Sequence, residues 1–354
     1  MDFTAYKQQF EPIFTPKLAE RLQVFLNLTH DTFLNDLALH TQQILAGGKR
    51  LRPYLAYIGF MAGGGVPQDH DRIIALGVSL EFFHAFCLIH DDVIDKAQVR
   101  RGVPTIERYT LLALESAHRH GDLAHIARGQ AILLGDLLHA YSLETLVHSV
   151  QGVSTAEGVM KEFYQMIDEV IAGQMIDVDT MTRPEHDADL LERKMYLKTA
   201  SYSFVRPFTL GLRLAGVSDA QAYQDAERIG ALIGIAFQLQ DDLLDVVGTE
   251  EMLGKPVLSD IRDGQQTLLT AHVAEHGDEI QRALLQCVMQ GKASDDQVFE
   301  LRDAMRQQGA VAAVEVRIET LLRYAENAIE QSVFSEEVKV AFMALLTLLR
   351  NRST

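Results

Sequence analysis

"LEFFHAFCLIHDDVIDKAQVRRGVPT", Leu80–Thr105, sets an apolar run against three aspartates and then two arginines. The apolar residues recur at the three- and four-residue spacing of a helix, so the stretch predicts one long helix over 71–95. Asp91, Asp92 and Asp95 then fall at its end. Aspartate is a poor helix former, and unpaired carboxylates are costly to bury. At this end of a helix they also oppose its dipole. A positive partner must therefore offset them.

The same D-D-x-x-D form returns in "FQLQDDLLDVVG" as Asp241, Asp242 and Asp245. Residues four apart share a helix face, so Asp91 pairs with Asp95 and Asp241 with Asp245. Gln238 joins the second face. Carboxylate pairs without a Cys or His tetrad suit a hard cation with oxygen ligands, and magnesium bridges such groups to phosphates. His90 alone cannot build a tetrahedral zinc site. A polyanionic partner needs cations, which the chain supplies at Lys49, Arg50 and Arg52 of "GGKRLRP", at Arg100 and Arg101, at Lys198 and at Lys255. Arginine forks and nearby glycines are good phosphate holders.

The remaining chain of 354 residues reads as helix almost throughout, with eight prolines as punctuation and no sustained strand alternation. Helices are predicted over 17–46 (broken), 50–63, 71–95, 105–116, 122–150, 155–181, 187–200, 203–216, 219–247, 265–289, 295–307, 309–332 and 335–350. No linker or repeat divides it, so a single domain over 1–354 is expected, an all-α bundle of long helices. A net charge of −17 argues against nucleic acid. Two cysteines in apolar contexts, no basic-apolar leader and no apolar run of membrane length point to a cytoplasmic protein with no membrane span.

The segments "GGKRLRP", "LEFFHAFCLIHDDVIDKAQVRRGVPT", "ILLGDLL", "IAGQMIDVD", "YLKTASY", "GIAFQLQDDLLDVVG" and "GKPVLSDIRDGQQTLL" occur in this order. Together they resemble the trans-isoprenyl diphosphate synthases, the polyprenyl synthetase family, of short-chain farnesyl or geranylgeranyl type. The resemblance implies an all-α isoprenoid synthase fold around a deep central cavity, Mg2+ dependence and a homodimer. It implies an allylic diphosphate held through magnesium by Asp91, Asp95 and Asp241, with Asp177 contributing, and gripped by Arg100, Gln174, Lys198, Thr199, Gln238 and Lys255. Isopentenyl diphosphate would lie against Lys49, Arg52, His84 and Arg101. Asp92, Asp242 and Asp245 would orient or water-bridge the metals, and Asp91, Asp92, Asp95, Lys198 and Asp241 would be the catalytic set. Bulk at Phe86 and Cys87 would set product length, here fifteen to twenty carbons.

Two residues depart from the family pattern after the second cluster. Leu258 stands where a glycine is usual, and Gln265 where a second lysine is usual. A lysine restored at 265 adds a charge-assisted hydrogen bond, worth about 1.5–3 kcal/mol. Two other readings fit parts of the pattern. A class I terpene cyclase shares the first cluster but would carry a different second one and lack "GGKRLRP". A non-catalytic regulatory subunit would have lost acids that this chain retains.

Overall fold

The computed structural model describes residues 2–249 and 257–351. Helices α1 Phe3–Thr29, α2 Thr32–Leu45, α3 Leu51–Ala62, α4 His70–Ile94, α5 Ile106–Ser116, α6 Leu123–Val150 and α7 Ala156–Thr180 come first. Then follow α8 Ala188–Met195, a π-helix Tyr196–Val205, α9 Arg206–Leu214 and α10 Ala220–Val247. The last are α11 Ser259–Arg262, α12 Leu268–His276, α13 Glu279–Met289, α14 Asp295–Gln307, α15 Ala310–Gln331 and α16 Glu336–Arg350. Among the described residues the only sheet is the hairpin Val99–Arg100 with Val103–Pro104. The chain's contacts gather into two compact units. One is formed by residues up to Tyr57 with Gly65–Ala156, the other by Ile58–Gly64 with residues from Glu157 onward.

Most helices start where a short polar side chain accepts from the first turn. Asp31 accepts from Leu34 N, Thr105 from Arg108 N and Asp122 from His125 N. Helix α1 begins well before residue 17, although Pro12 and Pro16 lie inside it. Interior proline costs about 3 kcal/mol. The buried residues Tyr6, Phe10, Phe14, Leu18 and Leu22, each four apart, outweigh that cost by laying one apolar stripe along the helix. Tyr6 stacks on Phe10 at 5.6 Å, and Phe10 on Phe14 at 5.9 Å. The single helix expected over 265–289 is instead two, divided at Gly277, where Asp278 starts α13 with a capping box.

One expectation about apolar runs is corrected. Helix α4 has an 18-residue window of mean hydropathy 1.8, long and apolar enough to cross a membrane by length and composition. It reads so because it is a core helix: 67% of that window is buried within the protein, with Ile73, Leu76, Leu80, Phe82 and Phe83 nearly inaccessible. Its main neighbour in the first unit is α6, where Ser79 Oγ donates to Ser142 O at 2.8 Å.

Candidate active site

In the first unit the site is built on the end of α4. Asp95 N donates to Asp91 O at 2.8 Å, so the four-residue register persists to the last turn and both carboxylates share one half-buried face. Asp92 is buried and shares the Arg100 guanidinium with Asp91, whose Oδ2 lies 3.7 Å from Nη2. Asp92 Oδ1 accepts from Arg100 Nε at 2.7 Å and lies 2.6 Å from Arg100 Nη2. Burial pushes the Asp92 carboxyl up, and the Arg100 guanidinium opposes that shift. The hairpin delivers Arg100. Its turn residues Arg101 and Gly102 take φ of 52° and 78°, as a tight two-residue hairpin turn requires. His40 Nε2 sits 2.8 Å from Pro104 O, and its ring stacks on Tyr109 at 3.9 Å, fixing the hairpin's end.

"GGKRLRP" divides its labour. Arg50, counted from sequence among the phosphate-holding cations, is instead a buried brace. Its Nε donates to Glu11 Oε1 at 2.8 Å, Nη1 to Glu81 Oε2 at 2.6 Å and Nη2 to Leu45 O at 2.8 Å. The guanidinium also lies 4.3 Å over the Phe14 ring. Lys49 is exposed and Arg52 half-buried at the start of α3. Arg101 Nη1 donates to Ile44 O at 3.0 Å.

Burial and then the charges of Arg52, Arg101, Arg100 and Arg50 hold the His84 imidazole well below its usual range. His84 is therefore neutral at pH 7 in the free protein. A histidine whose folded pKa lies below its unfolded value contributes stability that is complete above the unfolded value, about 6.5, and lost as pH falls through the folded one. Urea unfolding should show stability falling between pH 6.5 and 5. His84→Gln should flatten that slope by up to about 1.4 kcal/mol per pH unit, the limit for one proton. An unchanged slope contradicts the placement of His84 among these arginines.

In the second unit the π-helix carries Lys198 and Thr199. Such i→i+5 geometry is rare and concentrates at functional sites. Glycines permit it here by letting backbones approach. A Cβ on Gly173 would meet Lys198 N at 2.4 Å, and one on Gly234 would meet Ala200 Cα at 2.4 Å. Behind the π-helix, Arg206 Nε and Nη2 donate to Glu169 at 2.8 and 2.7 Å, and Nη1 to Glu162 Oε1 at 2.8 Å. Ser201 also donates to Glu169, and Thr209 Oγ1 to Glu162 Oε1 at 2.8 Å.

Thr199, Gln238 and Asp242 come together in one chain. Thr199 Oγ1 donates to Gln238 Oε1 at 2.6 Å, and Gln238 Nε2 to Asp242 Oδ1 at 2.7 Å. Burial raises the Asp242 carboxyl to about 7. Asp241 is half-buried beside it. Asp245, expected to orient or water-bridge the metals, also caps α11: its carboxylate accepts from Ser259 N at 3.2 Å, Ser259 Oγ at 2.9 Å and Asp260 N at 3.2 Å. Leu258, immediately before that helix, is buried with φ of 61°, which explains a glycine preference at this position. Both oxygens of Asp177 are engaged, by Lys194 Nζ at 2.9 Å and Lys198 Nζ at 2.5 Å, and each keeps a second lone pair. Lys255 lies outside the described residues.

Among the described residues no three His, Cys, Asp or Glu side chains form a ready-made metal cage. Magnesium seldom needs one: it keeps waters and takes one or two carboxylates together with substrate phosphates. The all-oxygen pair Asp91 and Asp95 fits that habit. Gln174 Nε2 is buried with no hydrogen-bond partner among the described residues, a donor suited to an anionic oxygen.

Residues 35–305 match the sequence model of the family Polyprenyl synthetase. A short chain isoprenyl diphosphate synthase of Methanothermobacter thermautotrophicus is 32% identical over 272 residues, 75% of either chain. A geranylgeranyl diphosphate synthase of Sulfolobus acidocaldarius is 30% identical over 295 residues, 80% of either chain. Among solved structures, geranylgeranyl pyrophosphate synthase from Corynebacterium glutamicum, complexed with isoprenyl diphosphate and magnesium, superposes with a TM-score of 0.89 at 30% identity. That match covers 97% of this chain and 99% of the other. With its all-α isoprenoid synthase fold, the chain belongs to the polyprenyl synthetase family and is a prenyltransferase of the short-chain prenyl diphosphate synthase kind.

Proposed function

We propose that the two units act as one catalytic domain, in a homodimer, condensing isopentenyl diphosphate head-to-tail with an allylic diphosphate. The observation that carries this is the pairing of Asp91 with Asp95 on one face at the end of α4, next to the Arg100–Asp92 pair. Asp91, Asp95 and Asp241 would hold magnesium, which would supply charge that stabilises the departing diphosphate. Lys198, Thr199, Gln238, Gln174 and Lys255 orient that diphosphate, with Arg100 released from Asp92 as substrate charge arrives. Asp177, paired with Lys194 and Lys198, would be a further oxygen ligand for the metals.

Lys49, Arg52 and Arg101 hold isopentenyl diphosphate, and neutral His84 donates one hydrogen bond to it without adding charge. The allylic carbon–oxygen bond breaks with its electrons leaving on the diphosphate. The isopentenyl double bond then forms the new carbon–carbon bond, and the released diphosphate takes the proton that is lost. Phe237, 5.4 Å from Phe204, offers a π face to the carbocation. The composition supports a cytoplasmic location.

Product length is proposed at fifteen to twenty carbons, favouring twenty. Phe86 is half-buried against α6, its ring stacked on His139 at 4.7 Å and 18° and lying 4.6 Å from His90. Cys87 lies one turn before Asp91. Phe86→Ala should lengthen the product and Cys87→Phe should shorten it toward fifteen carbons, as read by chromatography of the dephosphorylated alcohols. Unchanged lengths in both variants remove the floor from this helix.

The reaction itself is tested by incubating purified protein with labelled isopentenyl diphosphate, an allylic diphosphate and magnesium. An elongated linear diphosphate is the expected result. A cyclic hydrocarbon would establish a cyclase, and absence of turnover a regulatory subunit.

A further inference from the structure

Arg50 is unusual for its place in the chain. It stands at the entry to α3, where Tyr54 N donates to Arg50 O at 3.2 Å. A residue at a helix entry is ordinarily extended and carries a short polar side chain. Arg50 instead takes φ of 60°, the left-handed conformation that favours glycine. In other residues that conformation persists only where the surroundings over-determine it, and such positions cluster at functional sites.

Here the partners of the guanidinium do so. The Arg50 side chain is 2% exposed and ties together α1, α2 and α4 of the first unit. Glu11 on α1 accepts from Nε at 2.8 Å and from Nη2 at 3.2 Å. Glu81 on α4 accepts from Nη1 at 2.6 Å, and Leu45 O at the end of α2 accepts from Nη2 at 2.8 Å. The loop before α3 runs directly over this group, since a Cβ on Gly48 would lie 2.4 Å from Nη1. That clash has no easy relief, because Glu81 holds Nη1. Lys49 therefore lies between two residues fixed by one guanidinium: Gly48 packs on it, and Arg50 carries it.

The same group adjoins cations assigned above to isopentenyl diphosphate. Arg101 Nη1 donates to Ile44 O, the carbonyl next to the one that Arg50 holds. Burial and then the Arg50 charge push the Arg101 guanidinium below its usual range. Arg52 follows on the first turn of α3. The donors of Arg50 are committed to Glu11, Glu81 and Leu45 O, so its effect on a diphosphate passes through the geometry of the loop. We propose that Arg50 is a positioning residue for the isopentenyl diphosphate site: braced by Glu11 and Glu81, it holds the left-handed turn that places Lys49 and Arg52. The inference rests on the proposed function. It makes α1 a support of that site, although α1 supplies no residue assigned to substrate.

The test compares Glu11→Gln, Arg50→Gly and Arg50→Ala in the full chain, by steady-state kinetics with each diphosphate varied in turn. Glu11→Gln keeps an acceptor for Arg50 but removes its charge. It should raise KM for isopentenyl diphosphate at least about fivefold, the scale of a weakened charge-assisted hydrogen bond. KM for the allylic diphosphate should move less than about twofold, as expected of a separate site. Arg50→Gly and Arg50→Ala delete the same contacts, but only glycine takes the left-handed conformation without strain. Arg50→Gly should therefore keep a KM for isopentenyl diphosphate at least about threefold below that of Arg50→Ala.

A brace that serves the fold alone would shift both KM values alike in Glu11→Gln, or neither, and either result overturns the inference. So does an alanine variant that equals the glycine variant. If the Arg50 variants do not fold, Glu11→Gln alone decides, since it leaves Glu81 paired with Arg50. A native chain that elongates no allylic diphosphate overturns the proposed function and this inference together. Native turnover with unselective variants overturns only the inference.

Discussion

Asp91→Ala lowers turnover by a factor on the order of 10³ while the far-ultraviolet circular dichroism stays unchanged, and Asp241→Ala does the same. The reason is electrostatic. Departure of a diphosphate concentrates negative charge where there was a neutral bond. Groups that stabilise such charge are worth most in the transition state. Asp91 and Asp95 face one side at the end of α4, so removing one halves the oxygen ligands on that face. The fold tolerates the change because the Asp91 side chain, 27% exposed, is not a core residue. Turnover in either variant within tenfold of native would contradict the metal-bridged account.

Arg206→Met destabilises the protein by about 3–5 kcal/mol in urea unfolding, the usual cost of stranding buried partners of an ion pair. Glu162 would keep Thr209 and Arg213, and Glu169 would keep Ser201 and Gln165, but among the described residues no other guanidinium reaches both carboxylates. Arg206 is held in its charged form by those carboxylates despite burial. The adjoining π-helix loses its anchor as well, so KM for the allylic substrate rises even where the variant stays folded. A loss below about 1 kcal/mol would place the cluster among ordinary surface pairs.

The helices and the two acid clusters were legible because their signals are local: a 3.6-residue period, polar caps and carboxylates four apart. Asp91 and Asp95 sit on one face, as the spacing predicts. What escaped sequence reading depends on partners distant in the chain. Arg50 looks like its neighbours Lys49 and Arg52 until Glu11 and Glu81 are seen to claim it. Asp245 looks like Asp95 until the α11 N-terminus is seen to donate to its oxygens. The break expected between 200 and 203 is a π-helix, which has no distinct periodic signal, although Gly173, Gly230 and Gly234 mark where backbones meet. Lys194 stands four residues before Lys198, and that spacing was its one available signal.

The central claim is that these carboxylates hold metal for a diphosphate. The direct measurement is anomalous diffraction from crystals grown with manganese, in place of magnesium, and pyrophosphate. The account predicts peaks at coordination distance from Asp91, Asp95 and Asp241, each also touching a diphosphate oxygen. Bound pyrophosphate with no metal at Asp91 and Asp95 would contradict it.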